Sequence, residues 1–238
     1  MPYRSAARTD VGTIRRRNED AVLERSDIGL WAVADGAGGH ERGDYASARI
    51  ITSLGEVDPA LCGGVLLDEV RTRLRDVNRE LRGKAATISP DAMIGSTVAV
   101  LLILGERAHC LWAGDSRLYL MRGGELRQLS RDQSHVQDLV DRGEVAPEAA
   151  ATHPLVNVVT NLVGAYDELV LEERQEVIEP GDILLLCSDG LSGTISNDEI
   201  GAILSDNPLT AAADRLIERA LARYARDNVS AVVIGCMD

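Results

Sequence analysis

A chain of 238 residues and 25.6 kDa folds to roughly 10,000 Å² of surface against roughly 37,000 Å² when extended, enough to bury a sizeable core. With 45% apolar and 26% charged residues it is neither disordered nor fibrous, and with no Phe and 3% aromatics its core must be aliphatic. Acidic residues outnumber basic ones by 38 to 25, a net charge of −13, which excludes the basic footprint that nucleic acid or an anionic membrane requires.

In chain order, strands are predicted over 4–9, 21–25 and 30–34, the last running into DGAGGH. A helix is expected over about 43–54. A second follows where Leu66, Leu67, Val70, Leu74, Val77 and Leu81 recur at three- and four-residue steps. Segments 95–104, 108–113, 117–121 and 125–129, separated by tight turns, predict an antiparallel meander. A short helix over 134–142 leads into an irregular Ala/Pro-rich stretch, 143–156, within an expected flap over about 134–160. Strands over 169–177 and 183–187 come next. Leu209, Ala212, Ala213, Leu216, Ile217, Ala220, Leu221 and Tyr224 then mark an amphipathic helix, and a strand over 230–236 closes the chain. Strand clusters alternating with helix pairs favour antiparallel sheets with helices outside over a doubly wound parallel sheet.

No linker or repeat interrupts the chain, so a single domain over 1–238 is expected. Cys62, Cys110, Cys187 and Cys236 stand far apart with no CxxC pair, which points to reduced thiols rather than zinc or disulfides. The polar start, MPYRSAARTD, and the shortness of the longest apolar run, 98–104, predict a cytoplasmic protein without a membrane span.

Asp35, Asp115, Asp189 and Asp227 share a context: each ends or edges an apolar strand and is followed at once by Gly, Ser or Asn. Singly each reads as a turn residue. Together, with Glu19 and Asp20, they predict an oxygen-rich pocket. Clustered carboxylates repel unless a cation lies between them, and all-oxygen ligands select Mg²⁺ or Mn²⁺.

The segments RTDVGTIRRRNED, VADGAGGH, GSTVAVLL, AGDSRLYL, LSRDQS, CSDGL and RDNVSAVVI stand in the order and spacing of the metal-dependent Ser/Thr protein phosphatases of the 2C type. The chain resembles the bacterial stand-alone form of that family over residues 8–235. The resemblance implies an α+β fold, a four-layer αββα sandwich of two antiparallel sheets flanked by helix pairs. It implies that Asp35 bridges two Mn²⁺ or Mg²⁺ ions, with the Gly36 backbone carbonyl on one and Asp189 and Asp227 on the other. Glu19 and Asp20 would act mostly through metal-bound water, and Asp115 with Asp189 can hold a third, weaker ion. Arg15 matches the arginine that holds the substrate phosphate. His40 is a candidate general acid, set beside a purely structural role at a helix start. The implied reaction is hydrolysis of phosphoserine and phosphothreonine by direct attack of a water bridging the two metals. Implied partners are phosphorylated Ser/Thr proteins, among them a cognate bacterial Ser/Thr kinase, its substrates or a forkhead-type reader. The compact length is also similar to phosphatases that control type VI secretion, and the end of the chain just after the last strand predicts no membrane tether.

Gln133 stands where the family usually has histidine, Asn161 where arginine is frequent, and Leu155 and Val156 at an often basic position. The family's flap contacts with substrate are therefore not carried over. A cysteine-dependent phosphatase fails on spacing, since six residues separate Cys110 from Arg117. The loop DGAGGHERG misses the nucleotide-cradle spacings, and GLSGT around Ser192 misses G-x-S-x-G. The remaining alternative is a catalytically silent, metal-dependent phosphoprotein-binding module; presence of Asp35, Asp189, Asp227 and Arg15 favours the enzyme.

Overall fold

The computed structural model describes residues 3–37, 42–150 and 152–237. Two antiparallel sheets stack face to face. One is built from β1 (Tyr3–Asp10), β7 (Arg117–Arg122), β8 (Glu125–Gln128), β10 (Ile183–Cys187) and β11 (Val229–Cys236), in the spatial order β1-β11-β10-β7-β8. The other contains β2 (Asp20–Arg25), β3 (Leu30–Ala37), β5 (Val98–Leu104), β6 (Arg107–Ala113) and β9 (Glu172–Val177), in the order β2-β3-β5-β6-β9, with β4 (Gly95–Ser96) paired to the end of β3. Helices α1 (Gly43–Gly55) and α2 (Gly63–Ala86) cover the second sheet. On the first lie α5 (Asp189–Ser192), α6 (Asn197–Asp206) and α7 (Leu209–Ala222). The flap carries α3 (His135–Asp141) and the single turn α4 (Pro147–Ala150).

Central strands are apolar at nearly every position because both of their faces are covered. On β3, Leu30, Ala32 and Ala34 face the α1/α2 layer while Trp31 and Val33 face the opposite sheet. On β10, Leu185 and Cys187 pack under α7 while Leu184 and Leu186 enter the same inter-sheet layer. The period-two side-chain alternation of a strand thus distributes one apolar run between two cores. The result is the four-layer αββα arrangement expected.

Several local expectations are corrected. The meander is split: β5 pairs with β6 and β7 with β8, but between β6 and β7 the chain crosses from one sheet to the other. The crossing turns at Gly114, whose φ of 107° is open only to glycine and whose added Cβ would lie 2.7 Å from Thr97. The strand expected from 169 begins at Glu172, and α5 and α6 fall where no helix was predicted. Tyr224 does not belong to the buried stripe of α7: the helix ends at Ala222, and Tyr224 is 79% exposed with φ 59°.

Candidate active site

The inward rows of both sheets change character at one end. Reading toward that end, Trp31 and Val33 lead to Asp35, Val22 to Asp20, and Leu101 and Ala99 to Thr97. On the facing sheet Leu120 and Leu118 lead to Ser116, Leu184 and Leu186 to Ser188, and Ile234 and Val232 to Ser230. An aliphatic inter-sheet core therefore terminates in two carboxylates and four hydroxyls. Asp20 and Asp35 are register partners on β2 and β3. The Asp20 Oδ2 accepts hydrogen bonds across the sheets from Ser188 Oγ at 2.8 Å and Ser230 Oγ at 2.6 Å. The Thr97 and Ser116 hydroxyls bond each other at 2.7 Å, and the Asp35 N–H donates to Thr97 Oγ1 at 3.2 Å.

Three further acids reach this polar end from the loops. Asp115 sits in the crossing turn, Asp189 opens α5 directly after β10, and Asp227 precedes β11. Burial pushes the Asp115 carboxyl up to about 7, with Asp189 and Asp132 adding to the rise. Asp20 is pushed to about 6 by burial, against the two serine hydroxyls that favour its charged form. Asp35 lies well above the usual carboxylate range, first through burial and then through Asp20, Asp189, Asp115 and Asp227. Burial and Asp227 also raise Asp189. Glu19, beside the start of α1, is raised by burial and by Asp44. Asp20, Asp35, Asp115 and Asp189 are thus all raised, by burial first and by the charge of neighbouring carboxylates second.

Asn228 fixes the loop that brings Arg15 to this site. Its side chain accepts from the Glu19 N–H at 2.8 Å and donates to the carbonyls of Val11 and Arg17 at 2.8 and 2.9 Å. Arg15 Nη2 donates to Asp227 Oδ2 at 2.7 Å. The Gly36 backbone is crossed by the first residue of α1 so closely that a Cβ at Gly36 would lie 2.3 Å from the Gly43 carbonyl. A cleft of about 1130 Å³ opens over Asp115, Asp189, Asp227 and Arg15, with the flap residues Val136 and Val156 on its far wall. His40 lies outside the described residues.

Sequence reasoning missed four contributors. The sequence offers Asn228 only as the small residue after Asp227, and it gives Ser188 and Ser230, which hold Asp20, no motif of their own. Asp132, in LSRDQS, forms a two-pronged pair with Arg117 on the cleft wall at 2.6–3.0 Å. Period-two reading of β10 and β11 was the signal available, since each inward row ends in serine. The unusual Gln133 and Asn161 bond each other: Asn161 Nδ2 donates to Gln133 Oε1 at 2.8 Å, which also accepts from the Gly114 N–H at 2.8 Å. They brace the turn that carries Asp115 and the base of the flap. Cys110 is fully buried, with its thiol pushed up to about 12, and is no nucleophile.

The donor set fits hard divalent cations. Asp20 Oδ1 and Asp189 Oδ1 are buried without a hydrogen-bond partner, a costly state for a carboxylate oxygen unless a cation collects it. Among the described residues no three His, Cys, Asp or Glu side chains stand close enough to cage an ion by themselves, so backbone carbonyls or water would complete any shell.

The protein phosphatase 2C family matches residues 5–139. PstP, a serine/threonine protein phosphatase of Mycobacterium tuberculosis, is 39% identical over the whole of this chain, which spans 46% of the length of that relative. PhpP, a protein phosphatase of Streptococcus pneumoniae, is 35% identical over 95% of this chain and 94% of its own. Among solved structures, PppA of Pseudomonas aeruginosa, described as a key regulatory component of T6SS, superposes with a TM-score of 0.92 at 41% identity, covering 100% and 99% of the two chains. The catalytic domain of PstP in complex with two manganese ions superposes with a TM-score of 0.89 at 36% identity, covering 99% of each. Seven motifs in order, a shared fold and full-length likeness make this chain a member of the protein phosphatase 2C family.

Proposed function

We propose that the chain, as one catalytic domain over 1–238, is a metal-dependent protein serine/threonine phosphatase that hydrolyses phosphoserine and phosphothreonine. The observation that carries the reading is the meeting of Asp20, Asp35, Asp115, Asp189 and Asp227 at the polar end of the inter-sheet core, beside Arg15. Asp35, the Gly36 carbonyl, Asp189 and Asp227 would hold two Mn²⁺ or Mg²⁺ ions, with Glu19 and Asp20 behind them and Asp115 with Asp189 at a third position. When bound, the ions supply an activated water and positive charge for the phosphoryl oxygens. Arg15 turns its guanidinium fork from Asp227 to the phosphate, for which its planar donors are matched. The serine hydroxyls on Asp20 keep one oxygen satisfied and direct the other into the site. His40 is assigned the proton for the leaving alkoxide.

The likeness to PppA, a key regulatory component of T6SS, supports a regulatory role; a cytoplasmic location, with a cognate Ser/Thr kinase or its products as the phosphoprotein partners, completes the reading. Phosphate release from a phosphothreonine peptide tests the reading: turnover in Mn²⁺, abolished by EDTA and by Asp35→Ala, is expected. Metal-dependent peptide binding without turnover would identify a silent binding module instead, and equal rates with and without metal would contradict the mechanism.

A further inference from the structure

The C-terminus of α7 closes in a Schellman arrangement: the Ala225 N–H donates to the Ala220 carbonyl at 3.0 Å and the Tyr224 N–H to the Leu221 carbonyl at 2.9 Å. The residue between them must take a left-handed backbone, and glycine is the usual occupant because it has no Cβ to clash. Here it is Tyr224, at φ 59°, the one non-glycine residue with positive φ recorded among the described residues. A strained backbone of this kind persists only where the surrounding structure enforces it, and such positions cluster at functional sites. Its side chain is not buried in return, since Tyr224 is 79% exposed.

Tyr224 lines the catalytic cleft, and so does Ile14, which is 64% exposed. The two are tied together by Thr13, whose N–H and hydroxyl both donate to the Ala225 carbonyl at 2.9 Å. Ile14 immediately precedes Arg15, and Tyr224 lies three residues before Asp227, so the aromatic and aliphatic surfaces flank the point where the phosphate is held. From the flap, Val136, Val140 and Val156 line the same cleft alongside the polar Ser134, Gln137 and Asn157.

We propose that Tyr224 and Ile14 form an apolar platform that receives an aliphatic side chain adjacent to the phosphorylated residue, making Tyr224 a specificity-determining residue. The proposal rests on the phosphatase reading above. A protein substrate has such a neighbouring side chain; a small aryl phosphate has none. Covering the platform removes apolar surface from water, which favours substrates with leucine-like flanks over those with glycine.

The test compares wild type, Tyr224→Gly and Tyr224→Phe in Mn²⁺ on three substrates: a phosphothreonine peptide with leucine on both flanks, the same peptide with glycine on both, and p-nitrophenyl phosphate. Wild type should prefer the leucine-flanked peptide by about 10-fold in kcat/KM. Tyr224→Gly should lose that preference while p-nitrophenyl phosphate hydrolysis changes less than about 2-fold, and its Tm should rise by about 2–4 °C as the left-handed strain is relieved. Tyr224→Phe should keep the preference. The proposal is overturned if wild type shows no preference, if Tyr224→Gly retains it, if Tyr224→Phe loses it, or if Tyr224→Gly slows all three substrates equally. Should wild type hydrolyse none of the three, the phosphatase reading fails, and peptide affinity decides: about 10-fold weaker binding of the leucine-flanked peptide by Tyr224→Gly supports the platform, and equal Kd overturns it.

Discussion

Two arginine–carboxylate pairs line the same cleft and are built for opposite purposes. Arg117 meets Asp132 through both Nε and Nη2, and the pair is further held by Gln128 on Asp132 and by the Tyr119 hydroxyl on Arg117. Its side chains are 26% and 12% exposed. Arg15 meets Asp227 through one bond of 2.7 Å, with side chains 51% and 40% exposed. The first pair has been taken out of water and cannot open without leaving a buried charge. The second sits in high dielectric, where an ion pair contributes about 0–1 kcal/mol and opens readily. Solvent access, more than residue type, decides which arginine is locked into the fold and which can leave its carboxylate.

Replacing each arginine should pull these roles apart. Arg117→Ala leaves Asp132 unpaired and should cost about 3–5 kcal/mol of stability, lowering Tm by about 6–15 °C; an unchanged melting curve would show that the pair is no brace. Arg15→Ala should lower kcat/KM on a phosphopeptide about 100-fold, with Tm within about 2 °C of wild type, and Arg15→Lys should restore only part of the loss. A fall in Tm as large as that of Arg117→Ala would erase the contrast between the pairs.

The unpaired acids sharpen it further through pH. Asp115 and Asp20 stand at about 7 and about 6 in the fold, above their ordinary 3.8. The metal-free folded chain therefore binds more protons than the unfolded chain between those values, and the stability they contribute at acid pH is lost as pH rises through 6 and 7. Glu199, held near 2 by Arg219, contributes above the ordinary glutamate value and is constant in that window. In EDTA, Tm should fall by several degrees from pH 5.5 to 8, and Asp115→Asn should flatten the slope; a rise over the same range would reverse the sign assigned to these groups.

Helices and strands whose faces are set by one run of residues were legible in the sequence. The stripe from Leu66 to Leu81 is the buried face of α2, and the apolar run after Asn228 is β11. Elements decided by distant partners were not. The crossing at Gly114 depends on which sheet each hairpin joins, a long-range choice that tight turns do not encode. α6 does carry a local sign, the capping box of Ser196 and Glu199 ahead of Ile200, Ile203 and Leu204. At the site, Asp35, Asp189 and Asp227 were recognisable from strand-end acids followed by small residues. Their electrostatics and the hold of Ser188, Ser230 and Asn228 on the cluster required the two sheets to be brought together. Tyr224 fitted the helical period, and only the backbone shows that it lies beyond the helix end.

Calorimetric titration of the EDTA-treated, dialysed chain with Mn²⁺ measures whether the acids at the end of the inter-sheet core form a metal centre. Two ions should bind to wild type, and Asp35→Ala should bind them at least 10-fold more weakly while remaining folded. Failure of wild type to bind Mn²⁺, or identical titrations for the two proteins, would contradict a metal centre there.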